Sequence, residues 1–79
     1  MIKLHLYSTS HCHLCEQAEE LLKNIAKSHN IDWLSIEIAD DAQLLENYEI
    51  KIPVLKRLDN NTELSWPFNA IDIQHLINK

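Results

Sequence analysis

The sequence predicts a small α/β domain with the element order β-α-β-α-β-β-α. Three observations carry that reading: apolar spacing switches between a two-residue and a helical period, two cysteines stand where the first strand-like run gives way to the first helix, and an asparagine-rich turn joins two short strands near the C-terminus. At 79 residues the chain is one domain, residues 1–79. A chain of that size buries roughly 60% of its unfolded surface in a single core.

Ile2, Leu4 and Leu6 alternate with Lys3, His5 and Tyr7, which gives a strand over residues 2–7. Ser8-Thr9-Ser10-His11 follows as a loop. Leu14, Ala18, Leu21, Leu22, Ile25 and Ala26 then recur at helical spacing, with Glu16, Glu19 and Glu20 early and Lys23 and Lys27 late, as the helix dipole favours. His29-Asn30 is expected to end that helix. Trp33, Leu34, Ile36 and Ile38 mark a second strand, and Asp40 and Gln43 have the spacing of a capping box ahead of a short helix through Tyr48. Strand, helix and strand in succession favour a parallel βαβ unit.

Residues 54–58 and 62–66 read as a hairpin across Asp59-Asn60-Asn61, where Asn supplies the turn conformations that Gly usually provides. Asn69 then caps a last helix over residues 70–78, with Phe68 placed to staple against Ile73.

Composition narrows the function. A formal net charge of −5 and only seven scattered Lys and Arg residues argue against nucleic acid as a partner. The chain contains no glycine, which rules out the glycine-rich cradles that hold nucleotide phosphates. Its opening run is too short and too polar for a signal peptide or membrane span, so a cytoplasmic monomer with no membrane partner is expected. In a reducing compartment a lone cysteine pair points to catalysis or metal binding rather than to a structural staple.

Cys12-His13-Leu14-Cys15 is that pair. Cys12 falls at the helix start, where unpaired backbone N–H groups stabilise a thiolate, and its pKa is expected below the free value of about 8.5. It is the expected nucleophile; Cys15, one turn further in beside Leu14 and Ala18, is the expected resolving thiol. His11 and His13 flank the nucleophile and are taken, with Ile52 and Pro53, as the substrate-binding set. Metal is the competing use, since His11, Cys12, His13 and Cys15 are four ligand types within five positions. Consecutive residues at a strand-to-helix junction diverge, however, and no second ligand pair follows, so no bound metal is expected.

A first strand, a C-x-x-C at a helix start and Ile52-Pro53 opening the third strand together resemble the thioredoxin-fold oxidoreductases, and glutaredoxins by size. His11-Cys12-His13-Leu14-Cys15-Glu16, Ile52-Pro53-Val54-Leu55 and Leu64-Ser65-Trp66-Pro67-Phe68 are similar to the small glutaredoxin-like proteins, over essentially the whole chain. The resemblance implies a thioredoxin fold, with a central four-stranded mixed sheet flanked by helices. It also implies a cis peptide at Pro53, with the backbone of Ile52 pairing with an extended substrate, and thiol–disulfide exchange on protein or small-molecule disulfides.

It further admits glutathione, or a reductase, as the source of electrons, with no cofactor bound. The chain departs from glutathione-binding relatives in two places. Trp66-Pro67-Phe68-Asn69 stands where those relatives carry Gly-Gly and an acidic cap, and Thr9 stands where a basic residue is common. Both departures argue against a glutathione cleft. Asn69 still caps, Asp72 still offers a charge, and Lys51, Lys56 and Arg57 read as solvated charges that a carboxylate would otherwise have to meet. Trp33 and Phe68 read as core aromatics, whereas Tyr7 and Trp66 are expected to border the cysteines. Two alternatives to the enzyme remain: a binding module using the Pro53 edge, and a metal or iron–sulfur carrier using the same thiolates.

Overall fold

Ile2–Ser8 forms strand β1, and its alternation sends Leu4 and Leu6 to one face of the sheet and Tyr7 to the other. The computed structural model describes residues 1–78. After β1 come α1 (His13–Ala26), β2 (Ile31–Glu37), a 3₁₀ turn (Ile38–Asp40), α2 (Ala42–Tyr48), β3 (Val54–Arg57), β4 (Glu63–Ser65) and α3 (Ala70–Ile77). The sheet order is β2-β1-β3-β4, with β1 parallel to β2 and antiparallel to β3, and β3 antiparallel to β4. The element order and the mixed sheet are those the sequence predicts.

Each face of β1 has its own core. Leu4 and Leu6 join Ala18, Leu22 and Ile25 of α1, Leu55 of β3, Phe68, and Ile73, Leu76 and Ile77 of α3. Tyr7 joins Ile38 and Val54, with Leu44, Tyr48 and Ile52 packed around them. Each fully buried Leu or Ile contributes about 1.5–3 kcal/mol. That exceeds what one helix cap supplies, about 1 kcal/mol, so packing on β1 outweighs capping in holding the helices.

The buried stripe of α1 runs Cys15, Ala18, Leu22, Ile25, and Leu14, expected to lead it, is 43% exposed. Leu14 sits in the first turn of α1, four residues and roughly 40° of rotation from Ala18, at the edge of that stripe. The helix stops at Ala26, earlier than expected, and the N–H groups of Ser28 and His29 both turn back to the carbonyl of Ile25. Ahead of α2, the cap is Asp41 rather than Asp40. The 3₁₀ turn takes up Asp40, and Asp41 Oδ1 accepts the N–H groups of Gln43 and Leu44 at 2.9 and 3.2 Å. At α3 the expected cap holds as a full capping box: Asn69 Oδ1 accepts from Asp72 N, and Asp72 Oδ2 accepts from Asn69 N, each at 3.0 Å.

In the β3–β4 turn Asn61 takes the left-handed conformation (φ 58°), and Asn60 Oδ1 accepts the Thr62 N–H at 3.0 Å. Asn thus fills the position that glycine usually takes. Arg57 corrects the expectation of a solvated charge: it is only 8% exposed. Its guanidinium holds Asp59 through Nε and Nη2 at 2.6 and 3.0 Å and donates to the carbonyl of Leu76 in α3 at 3.0 Å. The hydrogen-bonded guanidinium holds the Asp59 carboxyl below its ordinary range.

A depressed folded-state pKa stabilises above the unfolded value and is lost as pH falls through the folded one. The urea midpoint of the wild type should therefore drop as pH falls below about 4, more steeply than that of Asp59→Asn. Arg57→Met, which strips hydrogen-bond donors from Asp59 and the Leu76 carbonyl, should cost about 2 kcal/mol in the same measurement at neutral pH. An unchanged midpoint would remove Arg57 as the tie between β3 and α3.

Candidate active site

The loop from β1 to α1 turns through His11, which is exposed and left-handed (φ 62°), and delivers Cys12 to the N-cap of α1. Cys12 uses sulfur where Ser or Asp would use oxygen: its Sγ accepts the backbone N–H of Cys15 at 3.1 Å, and its carbonyl accepts that of Glu16 at 3.2 Å. The two cysteines are joined as a disulfide with a Cα–Cα separation of 5.2 Å, inside the usual span of about 4.4–6.8 Å. Their surroundings differ. Cys12 is half-buried, whereas Cys15 is 6% exposed and belongs to the buried stripe of α1. In the reduced state the helix start would favour negative charge on Cys12, where a partner can reach it.

His13 is 92% exposed and its Nδ1 lies 3.5 Å from the Glu16 carboxylate, so its ring is turned along the helix surface. His11 and His13 thus flank the sulfurs without closing over them. Among the described residues no group of three or more His, Cys, Asp and Glu side chains converges as a metal site would require.

The Ile52–Pro53 bond is cis, the geometry implied by the resemblance, and Pro53 is fully buried. The Ile52 side chain packs into the Tyr7 cluster, and its N–H is donated to Tyr48 O at 3.1 Å. The Ile52 N–H is therefore engaged within the chain. Trp66–Pro67 is a second cis bond, which the sequence reading missed, and the Trp66 N–H is donated to Pro53 O at 3.1 Å.

Beside the disulfide lies an open cavity of about 250 Å³, lined by Cys12, Cys15, Ser8, Ser10, Glu16 and Glu19 among others. Tyr7 and Trp66, expected at this border, are not among its lining residues. Tyr7 faces away from Leu6 and stacks on Tyr48 with ring centroids 4.5 Å apart, and Trp66 packs edge-on against Phe68 at 5.0 Å. Sequence reading also missed Glu37, whose Oε1 accepts from Thr9 Oγ1, Ser10 N and Ser10 Oγ at 3.2–3.3 Å and so braces the cysteine loop. No local pattern marks it, because its partners lie 27 and 28 residues away.

A four-stranded mixed sheet with a C-x-x-C pair at the start of the first helix and a cis proline entering the third strand defines a thioredoxin-fold domain with a redox-type cysteine pair. The chain belongs to the Glutaredoxin-like domain (DUF836) family, whose model matches residues 3–78. It is similar to the X-ray structure of target protein XcR50 from X. campestris, at 37% identity over 95% of both chains with a TM-score of 0.82. It is also similar to the solution structure of Ne2328 from Nitrosomonas europaea, at 26% identity over 95% of this chain and 89% of that one, TM-score 0.84. A thioredoxin from Halobacterium salinarum shares the fold at 16% identity over 98% of this chain and 72% of that one, TM-score 0.76. No curated protein matches the sequence.

The Tyr48 phenol donates to Glu63 Oε2, and this hydrogen bond, with burial added, pushes its pKa up to about 12. A raised folded-state pKa stabilises below the unfolded value and is lost as pH rises through the folded one. Because Tyr48 O anchors the N–H groups of Lys51 and Ile52, the loop before Pro53 should loosen only at strongly alkaline pH. Tyrosinate absorbance should show one of the two tyrosines titrating near pH 12, and Glu63→Gln should bring it toward the ordinary value of about 10. A midpoint near 10 in the wild type would contradict the Tyr48–Glu63 link.

Proposed function

We propose that the protein is a thiol–disulfide oxidoreductase that uses the Cys12/Cys15 dithiol to reduce disulfides in proteins or small molecules. The observation that carries this reading is the Cys15 N–H donated to Cys12 Sγ at a helix start, with Cys15 held within disulfide reach behind it. Cys12 thiolate attacks one sulfur of the substrate; that S–S bond breaks, and the departing thiolate takes a proton from water. Cys15 then gives its proton to water and attacks Cys12 Sγ, which closes Cys12–Cys15 and releases the second substrate half as a thiolate that takes a proton from water. Two electrons and two protons pass to the substrate.

Ile52, with the cis Pro53 that follows it, offers its backbone to an incoming extended chain. His11 and His13 border the approach. A thiol reductant from outside the chain, glutathione or a dedicated reductase, restores the dithiol, and no bound cofactor takes part. Poor use of glutathione is supported by side chains engaged within the fold: Asp72 by the α3 cap and Arg57 by Asp59. We place the reaction in the reducing cytoplasm, with the protein acting as a monomer. Among the described residues no helix is long and apolar enough to cross a membrane.

Reduced Cys15→Ser protein should stall with one substrate half attached at Cys12, visible by mass, whereas Cys12→Ser should lose disulfide reduction altogether. Turnover that survives Cys12→Ser would overturn the assignment. A wild type that reduces no disulfide would leave the fold as a binding module.

A further inference from the structure

We infer that the redox site selects disulfides carrying positive charge next to the reacting sulfur, an inference that rests on the oxidoreductase reading above. Glu16 and Glu19 line the cavity beside the pair together with Ser8, Ser10 and Ser35, and neither Lys nor Arg lines it. Glu19 is fixed in place by Ser35, whose Oγ donates to Glu19 Oε2 at 3.1 Å. Behind the loop a third carboxylate, Glu37, accepts three hydrogen bonds from Thr9 and Ser10.

The cations nearby do not reverse the sign. Lys23 lies 3.7 Å from Glu19 and is more than half exposed, and His13 lies against Glu16 on the solvent side. His11 is the remaining basic side chain on the cavity wall. Arg57, the chain's one arginine, is buried against Asp59 and α3.

An ammonium group has three donors and no acceptor, which suits a cavity lined by acceptor-bearing Glu, Ser and Thr residues and by no Lys or Arg. At about 250 Å³ the cavity is smaller than the roughly 300–1,000 Å³ pockets that enclose a whole small-molecule ligand. It has room for one arm, such as an aminoethyl group or the end of a basic side chain, with the disulfide itself at Cys12. Carboxylates lining a concave surface concentrate cations and repel anions, and salt weakens both effects. An anionic disulfide is disfavoured by the same wall.

The test is single-turnover oxidation of pre-reduced protein by three small disulfides of similar size: cystamine (cationic), hydroxyethyl disulfide (neutral) and dithiodipropionate (anionic). Each rate is divided by that of a free small dithiol under the same conditions. Peptide disulfides flanked by lysine or by glutamate form a second arm. The normalised cation-to-anion ratio should be about tenfold at low salt and shrink as salt rises. Glu16→Gln with Glu19→Gln should cut it about threefold or more. Glu20→Gln, the same charge change outside the cavity, should leave the ratio alone.

Using a ratio cancels any change in the reactivity of Cys12. A preference for cystamine without one for the lysine-flanked peptide assigns the site to small amine disulfides; a preference for both extends it to polypeptides. A ratio near one, or one indifferent to the Glu16 and Glu19 substitutions, overturns the inference while leaving the oxidoreductase reading standing. Failure to reduce any disulfide overturns that reading and the selection with it.

Discussion

Strand β1 is hydrogen-bonded along both edges and buried on both faces, and every other element takes its place from that constraint. Its pairing with β2 and β3 fixes the middle of the sheet. Leu4 and Leu6 call for α1 and α3 on one side, and Tyr7 calls for α2 on the other. Because both sides are filled, a one-residue slip of β1 would set Lys3 and His5 against the α1–α3 core. The strand's C-terminal end is therefore fixed in space, and with it the loop that carries the cysteines.

From that end the chain must reverse into α1 without any glycine. His11 takes the left-handed backbone position, and Cys12 becomes the cap. The structural demand for an acceptor at the helix start and the chemical demand for a stabilised sulfur are met by one atom, Cys12 Sγ. On the far side of the sheet, Tyr48 ties down the Ile52–Pro53 approach through its carbonyl, and its hydroxyl is held by Glu63 of β4. Beside the pair, α1 contributes Glu16 and Glu19 and β2 contributes Ser35 to the cavity lining, with His11 from the loop and neither Lys nor Arg.

Much of this is legible in the residues themselves. Two-residue alternation marks β1, helical spacing marks α1, and Asn69 with Asp72 marks the start of α3 because both partners of the capping box lie within one turn. Cys12 and Cys15 are readable for the same reason: their relation is local. What escaped depends on distant parts of the chain. Arg57 looks like a solvated strand charge until α3 brings the Leu76 carbonyl to it. Glu37 looks like an outward residue of β2 until parallel pairing places it beside Thr9 and Ser10. Asp40 lies one position before the residue that caps α2, and Leu14 lies in the first turn of α1 at the edge of its buried stripe; spacing alone does not separate either from its neighbour.

The central claim is that helix geometry makes Cys12, and not Cys15, the reactive thiol. Site-resolved alkylation of the fully reduced protein near neutral pH, followed by mass spectrometry of the two cysteines, tests it most directly. Cys12 should be modified first and at least about tenfold faster, because it combines exposure with the helix start. Equal rates, or faster modification of Cys15, would contradict it.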